Sequence, residues 1–311
     1  MSDRKPLSSY RAPRYWPVWI GMGLLRIVCL LPHRLALGIG SLIGRLAHAA
    51  GGSRRAIVRR NLELCFPDLS EAERDALALQ HFKALGMALI EMGLGRWASG
   101  KHLRSITKLT GVDYVNDILA TGRGVIMLAA HFTTLEVSGR VLAHAIPPFD
   151  AVFRKNRSEF MTELQRTGRE VSADATIEKR DIKKMVRSLR SGRAVWYAPD
   201  QSYNRKGAEV IDFFGVPAMH TTATSTLARL GNAAVVPFFP RRLADGNYEL
   251  LLLPPFEDFP SDDPAADTRR YLDALEKHVR SCPEQYFWIH RKFKDLPEGY
   301  PDYYADLDAL K

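Results

Sequence analysis

The chain has 311 residues, 46% hydrophobic and 25% charged, which suits one large globular domain and excludes disordered, collagen-like and low-complexity proteins. Its cysteines, at positions 29, 65 and 282, are far apart, so neither a disulfide framework nor a paired-cysteine metal site is expected. Residues 1–60 hold eleven Lys or Arg and one acidic residue, a net charge of +10, whereas residues 61–311 hold 33 basic and 34 acidic residues, a net charge of −1. Because the larger part is not basic, nucleic-acid binding is not expected.

The first 60 residues are predicted to form a membrane anchor. From Trp16 to Leu31 the chain is apolar except for Arg26, and basic residues flank this segment on both sides. Its sixteen residues are few for a spanning helix, which needs about 20. Basic flanks favour a segment that lies in an anionic cytoplasmic leaflet, with Arg26 reaching the interface or pairing with lipid phosphate. Spanning and in-plane arrangements stay open, and a Trp-rich buried helix is the alternative.

Residues 61–311 are predicted to form one α/β domain. A capping box at Ser70 and Glu73 starts a helix that runs to about Met92. Short apolar runs then alternate with amphipathic segments, which predicts βαβ units and a mostly parallel sheet flanked by helices. The predicted strands are 124–130, 151–154, 194–198, 233–239 and 248–253, and the predicted later helices are 112–120, 133–144, 158–169, 177–190, 221–230 and 267–280.

His131 and Glu136 are the candidate catalytic residues. His131 directly follows the predicted strand 124–130, and Glu136 comes one turn into the next helix. On one continuous helix they would be about 140° apart, but at a strand-to-helix turn the carboxylate can point back at the imidazole. A histidine held by a carboxylate is a general base, and ligands of open α/β sheets collect at this edge. From the spacing alone, a helix-capping histidine and a solvated glutamate are equally compatible.

Further polar residues stand at the ends of later predicted elements. Arg154 ends one strand, Asp200 follows another, and Arg169 closes the helix between them. Guanidinium groups at this edge suit a phosphorylated or carboxylated substrate. Arginines at helix ends also complement the helix dipole, which is the preferred interpretation for Arg166. The motifs of serine hydrolases, zinc proteases, P-loop proteins and dinucleotide-binding folds do not appear, and no metal or cofactor is expected.

Several blocks, taken in order, are more specific than the spacing of His131 and Glu136. They read RYW from Arg14, RNLELCFP from Arg60, HFTTLE from His131, WYAPDQ from Trp196 and QYFWIHRKFK from Gln285. With these blocks the chain resembles, over nearly its whole length, the late acyltransferases of lipid A biosynthesis, the lauroyl/myristoyl group of Gram-negative bacteria. RYW and NLELCFP are most similar to the lauroyltransferase branch.

The resemblance implies a glycerol-phosphate-acyltransferase-like α/β fold, with residues 1–60 as the anchor and residues 61–311 as the acyltransferase domain. It implies transfer of a fatty acyl chain, lauroyl in the closest branch, from acyl carrier protein to a hydroxyl of an acyl chain on a lipid A precursor, usually after Kdo addition. It places the protein at the cytoplasmic face of the bacterial inner membrane, in contact with anionic lipids. His131 would be the general base, oriented by Glu136, and Arg154, Arg169 and Asp200 would bind substrate.

Three other functions remain open. A phospholipid-type acyltransferase acting on glycerol phosphate shares the His–Glu dyad and the fold. Assays with different acceptors would distinguish it from a lipid A acyltransferase. A membrane-bound thioesterase would use the same pair to activate water and would release acyl chains without an acceptor. A non-enzymatic, membrane-docked binding protein would keep its function when His131 is replaced by alanine.

Overall fold

The structure, a computed structural model, describes residues 4–308 of the chain, in which five α-helices come first and nine strands and seven further α-helices follow. Residues 1–3 and 309–311, the outer ends of the two predicted regions, lie outside it. The helices are α1 (Trp16–Val28), α2 (His33–Ala50), α3 (Gly52–Cys65), α4 (Glu71–Trp97), α5 (Gly100–Ser105), α6 (Val112–Ala120), α7 (Leu135–Leu142), α8 (Glu159–Arg169), α9 (Ile182–Arg190), α10 (Ala223–Gly231), α11 (Pro264–Ser281) and α12 (Ala305–Asp308). The strands are β1 (Thr107–Thr110), β2 (Val125–Leu128), β3 (Phe149–Phe153), β4 (Ala175–Glu178), β5 (Ala194–Tyr197), β6 (Ala208–Phe213), β7 (Val216–Thr221), β8 (Ala234–Arg242) and β9 (Tyr248–Leu252).

The central sheet has seven strands in the order β1-β9-β8-β2-β5-β3-β4. The five strands from β8 to β4 are parallel to their neighbours, β9 is antiparallel to β8, and β1 is parallel to β9. Strands β6 and β7 form a separate antiparallel pair. The predicted α/β class with a mostly parallel sheet is therefore confirmed, and all five predicted strands are present, whereas β1, β4, β6 and β7 were not predicted.

The predicted helix 177–190 is wrong at its start. Residues 175–178 form β4 at the edge of the sheet, and the helix begins only at Ile182. Asp181 caps it, since its side chain accepts a hydrogen bond from the backbone N of Lys184 at 3.0 Å. The short strand shows no alternation of its own, so the cap at Asp181 is the local signal for the true boundary.

The core lies on both faces of the sheet. Along β2, Ile126 and Leu128 point to one cluster, which includes residues of α3 and α11. Val125 and Met127 point to the other cluster, which includes residues of α4 and α7. Strands buried on both faces read as continuous apolar runs, which is why the run 124–130 predicts a central strand.

Helix α4 supports the N-terminal helices. The predicted capping box at Ser70 and Glu73 is present, and the helix continues beyond the expected end to Trp97. Helix α2, which lies within the predicted anchor region, packs along α4 backbone against backbone. A Cβ atom on Gly86 would lie 2.0 Å from the carbonyl oxygen of Gly40 and 2.5 Å from the backbone N of Gly44. Glycine at these three positions is what allows the close approach.

The outer side of the N-terminal helices is apolar. Four side chains of α1 at helical spacing, which we call the α1 stripe, are 56–62% exposed: Trp16, Ile20, Leu24 and Ile27. Helix α2 also presents exposed leucines at positions 35, 42 and 46. Arg26 lies with its guanidinium 5.8 Å from the ring centroid of Trp97. Among residues 4–308, no helix combines the length and the apolar composition that crossing a membrane requires.

Candidate active site

His131 and Asp200 meet at the carboxyl edge of the central strands. Strands β2 and β5 are parallel neighbours with Leu128 opposite Tyr197, so the residues three positions beyond each strand end lie side by side. The Nδ1 atom of His131 is 2.6 Å from Oδ1 of Asp200, and the backbone N of His131 donates to Oδ2 at 3.1 Å. This two-point contact fixes the orientation of the imidazole ring.

Asp200 is buried in a polar environment that keeps it ionised. Its side chain is 1% exposed, the hydroxyl of Tyr286 donates to Oδ2 at 3.1 Å, and the ammonium of Lys292 donates to its backbone carbonyl. Burial alone would raise the pKa of the Asp200 carboxyl, but the charge and hydrogen bonds of His131 and the charge of Lys292 outweigh it and hold the pKa at about 2. An ionised carboxylate on Nδ1 favours the tautomer that leaves Nε2 free to accept a proton.

Glu136 contacts a different side chain from the one expected. It lies in the first turn of α7, and its Oε1 accepts hydrogen bonds from Nη2 and Nε of Arg169 at 2.7 and 3.1 Å. Arg169 is the last residue of α8, and its Nη1 also donates to the carbonyl of Val152 at 3.1 Å. The carboxylate on His131 Nδ1 is therefore Asp200, because the loop after β5 runs beside the ring, whereas Glu136 faces the end of α8.

His131 opens into a cavity of about 210 Å³ with a basic side. Arg154, directly after β3, and Lys179, directly after β4, line it together with Arg169. Burial lowers the pKa of the Lys179 ammonium, and the positive charges of Arg154, Arg180 and Arg205 lower it further. An anionic substrate group would relieve this repulsion.

A second cavity, of about 260 Å³, lies next to the first. Gln165, Arg169 and Trp196 line both, so these three side chains stand at the boundary. The other lining residues of the second cavity are mostly apolar and come from α1, α4, α7, α8, β3 and the loops that follow β3 and α8. The His131 imidazole and several cations thus lie beside an apolar compartment.

Several residues of the site were not singled out from the sequence. Lys292 and Tyr286 lie in the block QYFWIHRKFK, and His290 in the same block has its pKa lowered to about 4 by burial and by the charge of His131. Lys179 follows β4, a strand that was not predicted, so no strand end pointed to it. No group of three or more His, Cys, Asp or Glu within residues 4–308 could hold a metal ion.

Comparison with known proteins shows the family of the chain. A family model described as bacterial lipid A biosynthesis acyltransferase matches residues 4–295. The chain is 38% identical to the lipid A biosynthesis lauroyltransferase of Escherichia coli K12, over 94% of this chain and 96% of the relative. It is 37% identical to the palmitoleoyltransferase of lipid A biosynthesis from the same strain, over 92% and 94% of the two chains, and 28% identical to the myristoyltransferase, over 94% and 91%. The chain belongs to the bacterial lipid A biosynthesis acyltransferase family.

Proposed function

We propose that the protein transfers a lauroyl chain from acyl carrier protein to a hydroxyl of an acyl chain on a lipid A precursor. The observation that carries this proposal is the His131–Asp200 pair, which opens on a basic cavity next to an apolar one. A phosphorylated lipid acceptor and an acyl chain are the ligands that such neighbouring compartments suit.

His131 is the general base of the proposed reaction. Its Nε2 takes the proton of the acceptor hydroxyl while the oxygen attacks the thioester carbonyl carbon. The tetrahedral intermediate collapses, the C–S bond breaks, and the leaving thiolate takes the proton from His131. Asp200 holds the ring through Nδ1 and stabilises the charged imidazolium between the two steps.

Arg154, Lys179 and Arg169 bind the acceptor. The first two form the basic side of the His131 cavity and suit a phosphate or a sugar acid. Arg169 is held by the bidentate contact with Glu136, so its guanidinium has a fixed direction at the boundary of the two cavities. In this scheme Glu136 contributes by positioning Arg169.

The donor and its chain length are proposed from similarity. The lauroyltransferase of Escherichia coli K12 is 38% identical to this chain, and lauroyl is the chain that its name states. Acyl carrier protein is the donor implied by the resemblance of the sequence blocks. Basic residues of the first 60 positions would attract an acidic carrier as well as anionic lipid.

We place the protein at the cytoplasmic face of the inner membrane, held by the α1 stripe and the exposed leucines of α2. The stripe is apolar and exposed, and exposed arginines at positions 11, 14, 26, 34 and 45 accompany it. Apolar insertion with basic flanks is the pattern of a helix that lies in an anionic interface.

A transfer assay tests the proposed reaction. Purified protein in detergent receives a tetra-acylated, Kdo-bearing lipid A precursor and a panel of acyl carrier protein thioesters, and the product is weighed by mass spectrometry. We expect the mass gain of one acyl chain, largest with lauroyl. His131→Ala should abolish the gain, and Asp200→Asn should lower kcat by about 10²–10⁴-fold.

Matched variants control for general damage. His102→Ala and Asp174→Asn change the same residue types at exposed positions, and both should stay near wild type. Full transfer by His131→Ala would refute the proposed mechanism. Transfer to glycerol phosphate, or acyl release alone, would favour the phospholipid acyltransferase or the thioesterase instead.

A further inference from the structure

The cavity of about 260 Å³ beside the candidate active site has a mostly apolar lining, which suits an aliphatic chain. Its walls include flexible and branched apolar side chains from four elements: Met22, Leu25, Met92, Phe149, Met161 and Leu164. Glu136 and Arg169 are among its few charged lining residues. Arg169, Gln165 and Trp196 also line the cavity of His131, so the two cavities adjoin at these side chains. A chain whose carbonyl lies near His131 would enter this compartment past them.

Gly168 lies in the wall that α8 contributes. It follows Met161 and Leu164 at helical spacing, so the three positions share the face of α8 that lines the cavity. A Cβ atom on Gly168 would meet only one heavy atom within 4 Å, Nη1 of Arg96 at 3.3 Å, which ends a flexible side chain. The space beside Gly168 is therefore cavity rather than packed protein.

Three other glycines of the cavity are there for packing. A Cβ atom on Gly95 would lie 2.9 Å from the carbonyl oxygen of Glu136, and one on Gly139 would lie 2.6 Å from the Trp196 ring. Gly93 would meet Sγ of Cys29 at 2.6 Å. No such neighbour explains Gly168, and its φ is not positive, although glycine is among the weakest helix formers.

We propose that Gly168 sets the length of the donor acyl chain, because the absence of a side chain there leaves room for the methyl end of the chain. This inference rests on the proposed acyl transfer and adds the residue that determines its specificity. We assign the donor chain, not an acceptor chain, to this cavity. The thioester carbonyl of the donor must reach His131, so its acyl chain must be bound by the enzyme, whereas the acyl chains of a lipid acceptor can remain in the bilayer.

Side chains added at position 168 test the proposal. Gly168→Ala and Gly168→Leu would fill part of the cavity, and Leu164→Ala would enlarge it. Each protein is given competing decanoyl, lauroyl, myristoyl and palmitoyl thioesters of acyl carrier protein, and kcat/KM is compared between donors. We expect the ratio of longer to shorter donors to fall about tenfold in Gly168→Leu, less in Gly168→Ala, and to rise in Leu164→Ala, since one methylene changes selectivity by about this factor.

Gly52→Leu is the matched control, because Gly52 is also a helical glycine with nothing within 4 Å of a Cβ atom and does not line the cavity. It should keep the wild-type ratio. Melting temperatures confirm that each variant folds, and Gly168→Ala keeps the test valid if the leucine variant does not.

The outcomes separate the two proposals. Wild-type protein that is inert with every donor would refute the proposed function itself. If the wild type is active and the Gly168 variants keep its donor ratios, the inference alone is overturned. The same holds if a folded Gly168→Leu loses activity with every donor. A second arm varies the acyl chains of the acceptor, and a Gly168 effect on acceptor length instead of donor length would also overturn it.

Discussion

At the scale of single residues, two carboxylates near His131 have separate partners. Asp200 is buried and bonded to the ring, whereas Glu136 is a quarter exposed and bonded to Arg169. The spacing of His131 and Glu136 identified the turn where the chemistry is proposed to occur. It could not show which carboxylate meets the ring, because that depends on the loop of a neighbouring strand.

A double-mutant cycle tests the contact between Glu136 and Arg169. We expect Glu136→Gln and Arg169→Gln each to lower kcat/KM and the double variant to lose little more than either, with a coupling of about 1–3 kcal/mol, since both changes break one bidentate pair. Arg166→Gln is the control on the same helix, because that arginine pairs with Glu163 and Glu170. Fully additive losses in the cycle would show that the pair does not act as a unit.

Lys292 gives the folded protein a specific pH dependence. Burial lowers the pKa of its ammonium to about 8 despite the opposing charge of Asp200. The unfolded chain keeps this proton up to about pH 10.4, so between pH 8 and that value the unfolded state binds more protons and the contribution of Lys292 to stability rises with pH.

Lys292→Met removes that contribution. Wild type should therefore gain stability relative to Lys292→Met as pH rises from 8 to 10, by on the order of 2 kcal/mol, measured as the difference between their unfolding curves. Lys294→Met, at an exposed neighbouring position, controls for the loss of a positive charge from this segment. A difference that stayed constant across this pH range would argue against a buried, shifted lysine.

The sequence allowed us to predict site residues that stand at, or just after, the ends of predicted strands. His131, Arg154 and Asp200 all stand at strand ends, and parallel neighbours bring such positions to one edge. Lys292 and Tyr286 reach the site from the segment after α11, which pairs with the turn of His131 through the backbone N of Phe287. No local pattern encodes that long-range contact.

At the scale of elements, a buried ion pair joins α4 to β8. Glu91 is fully buried and lies 2.5 Å from Nη1 of Arg242, whose side chain is 6% exposed. The backbone of Arg242 is tied to the side chain of Gln285, and the carbonyl of Gln285 accepts from the backbone N of Thr133. The pair thus supports the same turn that carries His131.

Breaking one side of this pair should be costly. Glu91→Gln leaves the Arg242 charge buried without its counter-ion, and we expect a loss of about 3–5 kcal/mol in the free energy of unfolding. Glu71→Gln breaks the exposed pair with Arg59 and should cost at most about 1 kcal/mol. Equal effects in denaturant titrations of the two variants would contradict the buried role of Glu91.

The elements that were predicted well are those with a strong local signal. The capping box predicts the start of α4, and continuous apolar runs predict the buried strands β2, β5 and β8. Strand β4 has four residues at the sheet edge, and the β6–β7 pair lies outside the main sheet. The identity of β4 is decided by its pairing with β3, which is not local in the sequence, whereas β6 and β7 pair locally across the turn at Phe214 and Gly215.

At the scale of the whole molecule, charge and apolar exposure coincide at the N-terminal end. The first 60 positions carry the excess positive charge, and the α1 stripe lies within them. Helices α2 and α3 from the same region also pack into the fold, so the boundary at residue 60 predicted from composition falls inside α3. Composition detects the charge change, but the packing of α3 depends on contacts such as that of Asn61 with the carbonyl of Trp288.

Vesicle binding tests the proposed role of this surface. We expect the triple variant Ile20→Ser, Leu24→Ser and Ile27→Ser to bind anionic vesicles with an affinity at least about 100-fold lower, as measured by co-sedimentation. Each large side chain contributes about 1.5–3 kcal/mol when it is buried. Added salt should also weaken vesicle binding by the wild type, because it screens the charges of the basic flanks. Tyr114→Ser and Tyr300→Ser, at exposed aromatic positions outside these helices, should bind normally.

Helix α1 has one exposed apolar face and one face that lines the apolar cavity. Ile20, Leu24 and Ile27 are exposed on the outer side, while Met22 and Leu25 line the apolar cavity. The proposed acyl chain in the cavity and the proposed lipid contact would therefore both act on the same thirteen residues of α1. Coupling between two binding equilibria is reciprocal. The factor by which a bilayer changes the affinity for an acyl chain therefore equals the factor by which a bound acyl chain changes the affinity for the bilayer.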